Sequence, residues 1–407
     1  MSAQEGEAAL AFGTARPSVG VNAVPLRIAI AHDFLVQYGG AERVLEVFCE
    51  MFPASPIFSL FYDEDRTRGR FRSQDVHTSF LDHLPLAGRR IGHHHHFFFW
   101  SFPKAMERFD FSGFDLVLSS SASYSKGVVA PPHVPHLCYC YTPTRYLWDD
   151  VSKYVNGFLA THPATAIGEA CFRVMRRWDR RAALRPTTMI AVSTYIAERI
   201  KDTYGRQPDA VVFPPVDTAV YSANGVSAAA LADSYYLMVG RLLPYKRFDL
   251  GIEACSQLGL PLKVAGVGRE RARLQKNAGP TVEFLEWVDE KELPSLYRGA
   301  RALIFPQVED FGLVAAEAVA CGTPVIAYRK GGALDIVKDG VNGTFFERQD
   351  VDALAGVIAR FDRRRFEPRA VSATARRFSK ERFRAEMLAI VRRTRARASR
   401  RTSAGPG

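Results

Sequence analysis

Short apolar runs recur along this chain, separated by stretches long enough to hold a helix. The first is LRIAIAH, starting at Leu26, followed by the loop DFLVQYGG and then by AERVLEVFCEMF, whose apolar residues fall at helical spacing. A buried strand, a glycine turn and a helix form the opening of a nucleotide-binding α/β unit. The runs PIFSLF, DLVLSSS, HLCYCY, TMIAVS and AVVFPP carry the pattern to Pro215. It restarts with SYYLMVGRL, and PLKVAGVG, TVEFLEWV, ARALIFPQ, TPVIAY and VNGTFF follow, with DLGIEACSQLG among the helical segments between them. Runs without polar alternation belong to strands covered on both faces, as in parallel sheets. The pattern therefore predicts an α/β fold with two Rossmann-like domains, at 26–215 and 216–380, facing a central cleft. A C-terminal helix is expected at 381–395, with disordered tails at 1–25 and 396–407. The halves show no obvious sequence repeat.

Composition adds a little. The chain has 407 residues, 47% hydrophobic and 24% charged, an ordinary globular balance. The net charge of +11 calls for anionic partners: nucleic acid, anionic lipid or phosphorylated small molecules. No helix-turn-helix, zinc-finger or RNA-binding motif appears, so a nucleic-acid-binding protein is the weaker reading. The six cysteines are scattered, which fits reduced thiols better than a disulfide framework. No run is long enough for a membrane span, and the N-terminus lacks signal-peptide features. A cytoplasmic location is expected, with peripheral contact at the inner face of the membrane as an option.

Two stretches carry chemistry. In GRLLPYKRFD, Gly240 ends a strand, so Arg241, Lys246 and Arg247 sit in a strand-end loop, where such sheets bind ligands. Cations there suit a diphosphate or form a solvated basic loop. In EDFGLVAAE, Glu309 follows a strand, Gly312 permits a close backbone approach and a helix starts near Leu313. The first amides of that helix have no intrahelical acceptor and form an anion site. Glu317 lies about one turn in. The two acids flank the helix start and do not converge as metal ligands, so no metal is expected. They clasp a nucleotide sugar or simply stabilise the helix dipole.

EDFGLVAAEAVACGTPVIAYRKGGALDIV strongly resembles the E-x7-E region of retaining family 4 glycosyltransferases with the GT-B fold. GRLLPYKR, FPPVD and VQYGGAERV extend the resemblance over almost the whole ordered chain. FDLVLSSS, CYCYTPTRYLWD and LLPYKR look most like bacterial O-antigen and exopolysaccharide mannosyltransferases. The resemblance implies hexose transfer, most readily mannose from GDP-mannose, to a lipid-linked or polysaccharide acceptor in cell-surface glycan synthesis. A UDP-sugar donor is the alternative. No metal cofactor is implied. Arg241 and Lys246 would hold the donor diphosphate, and the amides of Phe311, Gly312, Leu313 and Val314 its distal phosphate. Glu309 would contact the transferred hexose and Glu317 the ribose. Gly39 and Gly40 would let the backbone approach the phosphate and sugar, Gly240 would lie among the donor-binding residues, and Leu285 and Val288 would touch the base. On the acceptor side, Trp148 and Asp149 are read as fixing the loop near the active site, and Arg145 as a contact for acceptor or phosphate. Tyr141 stands where the family usually carries His, and Asp335 where Glu is common, which puts both roles in question.

Three further features are read as follows. IGHHHHFFFWSFPKAMERF, from Ile91, is packing beneath the first sheet or an interfacial patch. Asp63, Glu64 and Asp65 form a solvated turn. CFRVMRRWDRRAALRP is a basic helix with a solvated or lipid-facing side.

Overall fold

The computed structural model describes residues 26–83, 100–149, 165–224 and 234–403. Most of the histidine and aromatic run lies outside these residues, as do both expected tails apart from the segment noted below. The first sheet contains β1 (Ile28–His32), β2 (Ile57–Ser59), β3 (Val76–Thr78), β4 (Leu116–Ser121), β5 (His136–Cys140), β6 (Thr188–Ala191) and β7 (Ala210–Val211). The second contains β8 (Tyr236–Val239), β9 (Leu262–Ala265), β10 (Val282–Leu285), β11 (Ala302–Phe305), β12 (Val325–Tyr328) and β13 (Gly343–Phe346). Every strand pairing in both sheets is parallel.

The strand orders are β3-β2-β1-β4-β5-β6-β7 and β10-β9-β8-β11-β12-β13. The halves share no obvious sequence repeat, yet they share this doubly wound order. In each, the direction of winding reverses between the first and fourth strands. The loops leaving those strands part and open a crevice, where such sheets bind ligands. The switch-point loops follow β1 and β4 in one domain and β8 and β11 in the other. They carry DFLVQYGG, GRLLPYKR and VEDFG.

β4 is buried along its whole length, its three serines included. Each hydroxyl has a partner, as burial demands. Ser119 Oγ lies 2.7 Å from His136 Nε2, Ser120 Oγ 3.0 Å from His32 Nδ1, and Ser121 Oγ accepts from the Lys126 amide at 3.1 Å. Burial, and then Arg206 and Arg185, push the His136 imidazole down to about 3. The native chain therefore keeps His136 neutral, while the unfolded chain takes up a proton near 6.5. Between those values the unfolded state binds more protons, so this residue's contribution to stability falls as pH drops, by about 1.4 kcal/mol per unit. Unfolding titrations of wild type and His136→Gln should diverge with that slope between pH 6.5 and 3. Parallel curves would refute the assignment.

Phe102, from the aromatic run, packs under the first sheet. It is 2% exposed, with its ring 5.4 Å from Phe34, 5.7 Å from Phe61 and 5.2 Å from Tyr124. Trp100 is largely exposed. Pro103 opens the Phe102–Glu107 helix. Asp63 and Glu64 lie in turns, paired with Arg66 and Arg72.

The helix expected at 381–395 runs from Lys380 to Ser403. Its arginines are good helix formers, and the expected stop near Arg395 rested on tail-like composition alone. The helix returns to the first domain. Phe383 packs against Phe48 at 5.4 Å and Tyr139 at 5.7 Å, and Thr394 Oγ1 meets Thr188 Oγ1 at 2.8 Å. Among the described residues no helix is long and apolar enough to cross a membrane.

Candidate functional site

Two helices begin face to face across the cleft. The Gly40–Met51 helix follows the β1 loop, and the Leu313–Ala320 helix follows the β11 loop. A methyl placed on Gly40 would lie 3.2 Å from Leu313 Cδ1, so any larger residue would crowd the opposite domain. Gly312 caps the second helix at φ 105°, a left-handed conformation that glycine alone adopts freely, and a Cβ there would meet Phe305 at 2.8 Å. Both helix starts present unpaired first-turn amides and the positive ends of their dipoles to one space. Glu42 closes the first helix by accepting the Gly39 amide at 2.8 Å.

Charged side chains surround this space. Lys246 is ion-paired with Glu309, and both are mostly buried. The pair exists because the loops after β8 and β11 flank the switch point. Arg145 reaches over from the first domain and binds Asp310 at 2.6 Å. Burial opposes the Arg145 charge, but Asp310 and then Glu309 outweigh it and hold its pKa above the ordinary arginine value. Burial also pushes the Asp310 carboxyl up, against the pull of Arg145. Arg241, exposed, donates to Gln37 Oε1 at 3.3 Å across the cleft. Gly240, at φ 146°, hands the chain from β8 into that loop.

Three residues singled out in the sequence are engaged by protein groups. Glu317 is 1% exposed and pairs with Arg43 at 2.6 Å while accepting from the Tyr297 hydroxyl at 3.2 Å. Its carboxylate thus joins the domains, and a ribose would have to share it with Arg43. Tyr141 donates its hydroxyl proton to the Ala41 carbonyl at 3.1 Å and meets Ser120 Oγ at 2.9 Å. It braces the glycine loop against β4 and does not hold a free proton. Asp335 accepts from the amide and hydroxyl of Thr194, both at 2.8 Å, a second tie between the domains. Its short reach is matched to that contact.

At the far end of the cleft, Leu285 and Val288 pack towards the core, and Trp287 between them is 55% exposed. The Arg68 guanidinium from the first domain lies 4.2 Å from the Trp287 ring and 5.4 Å from that of Tyr38. Arg68 has φ 56°, an uncommon conformation for a residue with a side chain. Arg70 pairs with Glu290 at 3.1 Å beside it. A pocket of about 590 Å3 opens here between the domains, lined in part by Tyr38, Arg43, Tyr221 and Glu290.

Sequence reading missed Asp33 and Asp179. Asp33 immediately follows β1 and accepts four backbone amides, from Ala122, Ser123, Tyr124 and Ser125, at 2.6–2.8 Å. Its place in AHDFL at a strand end was the one available signal. Trp148, read as an acceptor-side residue that fixes its loop, is tied down from the Thr165–Ala183 helix. Its ring is covered by Arg180 at 4.8 Å, and its indole N–H donates to Asp179 at 2.6 Å.

Comparison with known proteins bears on the family and the fold. Residues 38–220 match the description Glycosyltransferase Family 4, and residues 225–378 match Glycosyl transferases group 1. The D-inositol 3-phosphate glycosyltransferase of Acidothermus cellulolyticus is 33% identical over 192 residues, covering 40% of this chain and 43% of that protein. A GDP-mannose-dependent alpha-(1-6)-phosphatidylinositol monomannoside mannosyltransferase of Mycolicibacterium smegmatis is 29% identical over 218 residues, 47% of this chain and 57% of its own length. The chain thus spans about half the length of the curated relatives it matches. Among solved structures, sucrose-phosphate synthase of Thermosynechococcus elongatus superposes with TM-score 0.67 at 19% identity, covering 91% of this chain and all of that one. The Anabaena protein HepE in complex with UDP gives 0.63 at 17% identity, covering 90% and 99%. With both halves matched in order and both sheets arranged as in these neighbours, the chain belongs to the glycosyltransferases of the GT-B fold.

Proposed function

We propose that this glycosyltransferase moves mannose from GDP-mannose, with retention at the anomeric carbon, to a lipid-linked or glycan acceptor at the inner face of the membrane. One observation carries the reading: two helix starts and the Lys246–Glu309 pair converge where both sheets reverse their winding. A diphosphate between them is met by backbone amides from both domains and by Lys246 and Arg241. These groups neutralise the charge that develops on the leaving phosphate, a role a divalent metal would otherwise fill. Glu309 then turns to the hexose hydroxyls. The acceptor hydroxyl oxygen bonds to the anomeric carbon as the bond to the phosphate oxygen breaks. The electron pair of that bond leaves with the phosphate, which receives the acceptor proton on the same face. The relative from Mycolicibacterium smegmatis, named for a GDP-mannose donor, supports the choice of nucleotide.

A thermal-shift panel of GDP-mannose, GDP, UDP-glucose and UDP tests the donor. A nucleotide at about 100 times its Kd stabilises the native state by about 2.7 kcal/mol. GDP-mannose and GDP should raise the melting point. A rise with the UDP compounds alone overturns the base assignment, and no rise with any of the four overturns the donor site. Trp287, exposed beside Arg68, is read as the face on which the base stacks. Trp287→Ala should weaken GDP binding about 10-fold by calorimetry, given roughly 1–3 kcal/mol per stacked base. Equal affinity rules that face out.

A further inference from the structure

Asp179 lies outside the cleft, yet the structure ties it to a residue that enters it. Its carboxylate is wholly buried and has four partners. Oδ1 pairs with Lys126 Nζ at 2.7 Å and accepts from Thr144 Oγ1 at 2.8 Å. Oδ2 accepts from Trp148 Nε1 at 2.6 Å and from the Tyr204 hydroxyl at 2.8 Å. Thr144 and Trp148 are the residues at either end of the short Arg145–Trp148 helix, Thr144 being its cap. One carboxylate therefore holds both ends of the turn that projects Arg145 onto Asp310.

Lys126 completes the arrangement. It is 0% exposed, also donates to Thr144 Oγ1 at 2.9 Å, and bonds the Ser123 carbonyl. Ser123 in turn gives its amide to Asp33 at the end of β1. Burial opposes the Lys126 charge, but Asp179 outweighs it, and the ammonium stays above its ordinary pKa. Arg176 Nε donates to the Leu147 carbonyl at 2.6 Å, and Arg199 pairs with Asp149 just past the turn. The turn is thus anchored from the ends of β1 and β4 and from the Thr165–Ala183 helix, while Arg145 reaches across the cleft to Asp310.

We propose that Lys126 and Asp179 are positioning residues for sugar transfer, acting through Arg145 by fixing the turn that carries it. The proposal rests on reading the cleft as the transfer site. A buried ion pair exchanged for apolar residues of similar size is often tolerated by the fold, so Lys126→Met/Asp179→Leu keeps the core filled while releasing the turn. Thr144→Val and Trp148→Phe each remove one donor to Asp179 and leave both charges in place.

Turnover of GDP-mannose by these variants should fall about 10-fold or more in kcat, with the donor KM within about twofold of wild type, since small misplacements of a reacting geometry act on kcat. Adding Arg145→Ala should cause no further loss, because both changes remove one function. Losses that multiply with Arg145→Ala, or a kcat unchanged in both Thr144→Val and Trp148→Phe, overturn the proposal. A second readout needs no donor. Hydrogen exchange of residues 144–149 in the free protein should quicken about 10-fold or more in the double variant while the β4 and β5 amides keep their protection. Unchanged protection of 144–149 overturns the proposal even if GDP-mannose proves to be the wrong donor.

Discussion

Lys246→Ala lowers sugar transfer about 100-fold or more. The loss is that of one preorganised charge on the leaving group, about 3 kcal/mol of transition-state stabilisation. Lys246 is mostly buried and ion-paired with Glu309. On the proposed binding mode, removing it deprives the diphosphate of a largely buried cation, and it leaves Glu309 with Arg145 as a neighbouring cation. Glu309→Ala should reach a comparable loss by the opposite route, since on the proposed binding mode the hexose loses its acceptor while Lys246 stays in place. Steady-state transfer from GDP-mannose checks both. Lys246→Arg separates charge from shape: a guanidinium keeps the charge but spreads it over a planar fork, so activity should lie between wild type and Ala. More than about half of wild-type activity in Lys246→Ala would falsify the placement of the diphosphate.

Asp179→Ala, made alone, destabilises the first domain by about 3–5 kcal/mol. Breaking one side of a buried pair strands the other charge. Here the stranded group is Lys126, wholly enclosed, with Tyr204 and Trp148 also losing Asp179 as acceptor. For a domain of this size that corresponds to a melting temperature lower by about 10 °C. Lys126→Met/Asp179→Leu should recover most of the loss, because neither charge then remains to be solvated. Differential scanning calorimetry of the three proteins decides. A single variant that melts with wild type would mean that water reaches Lys126.

The strands were legible because parallel strands covered on both faces leave unbroken apolar runs. β3 was the exception. Val-His-Thr is short and partly exposed, and pairs with β2 only at the sheet edge, so it carries no apolar signature. The motif residues around Gly312 and Lys246 were legible because glycine at a strand end and cations after it have few local uses. What could not be read was which groups pair across the cleft. Arg43 with Glu317, Thr194 with Asp335 and Arg145 with Asp310 join residues more than a hundred positions apart, and nothing local marks them. Asp33 and Asp179 were hidden for the same reason, since their partners come from other strands and helices. Tyr141 shows the limit of reading a role from a substituted position. The hydroxyl that replaces an imidazole is spent on the Ala41 carbonyl.

The return of the Lys380–Ser403 helix to the first sheet has a consequence for synthesis. Phe48 and Tyr139 leave the ribosome early, but Phe383, which covers them, follows only after the whole second sheet has been made. The first domain therefore waits with an apolar face uncovered while the second is translated, at about 5–20 residues per second. Nascent chains halted before residue 380 should bind chaperones through that face and let go once the helix is released.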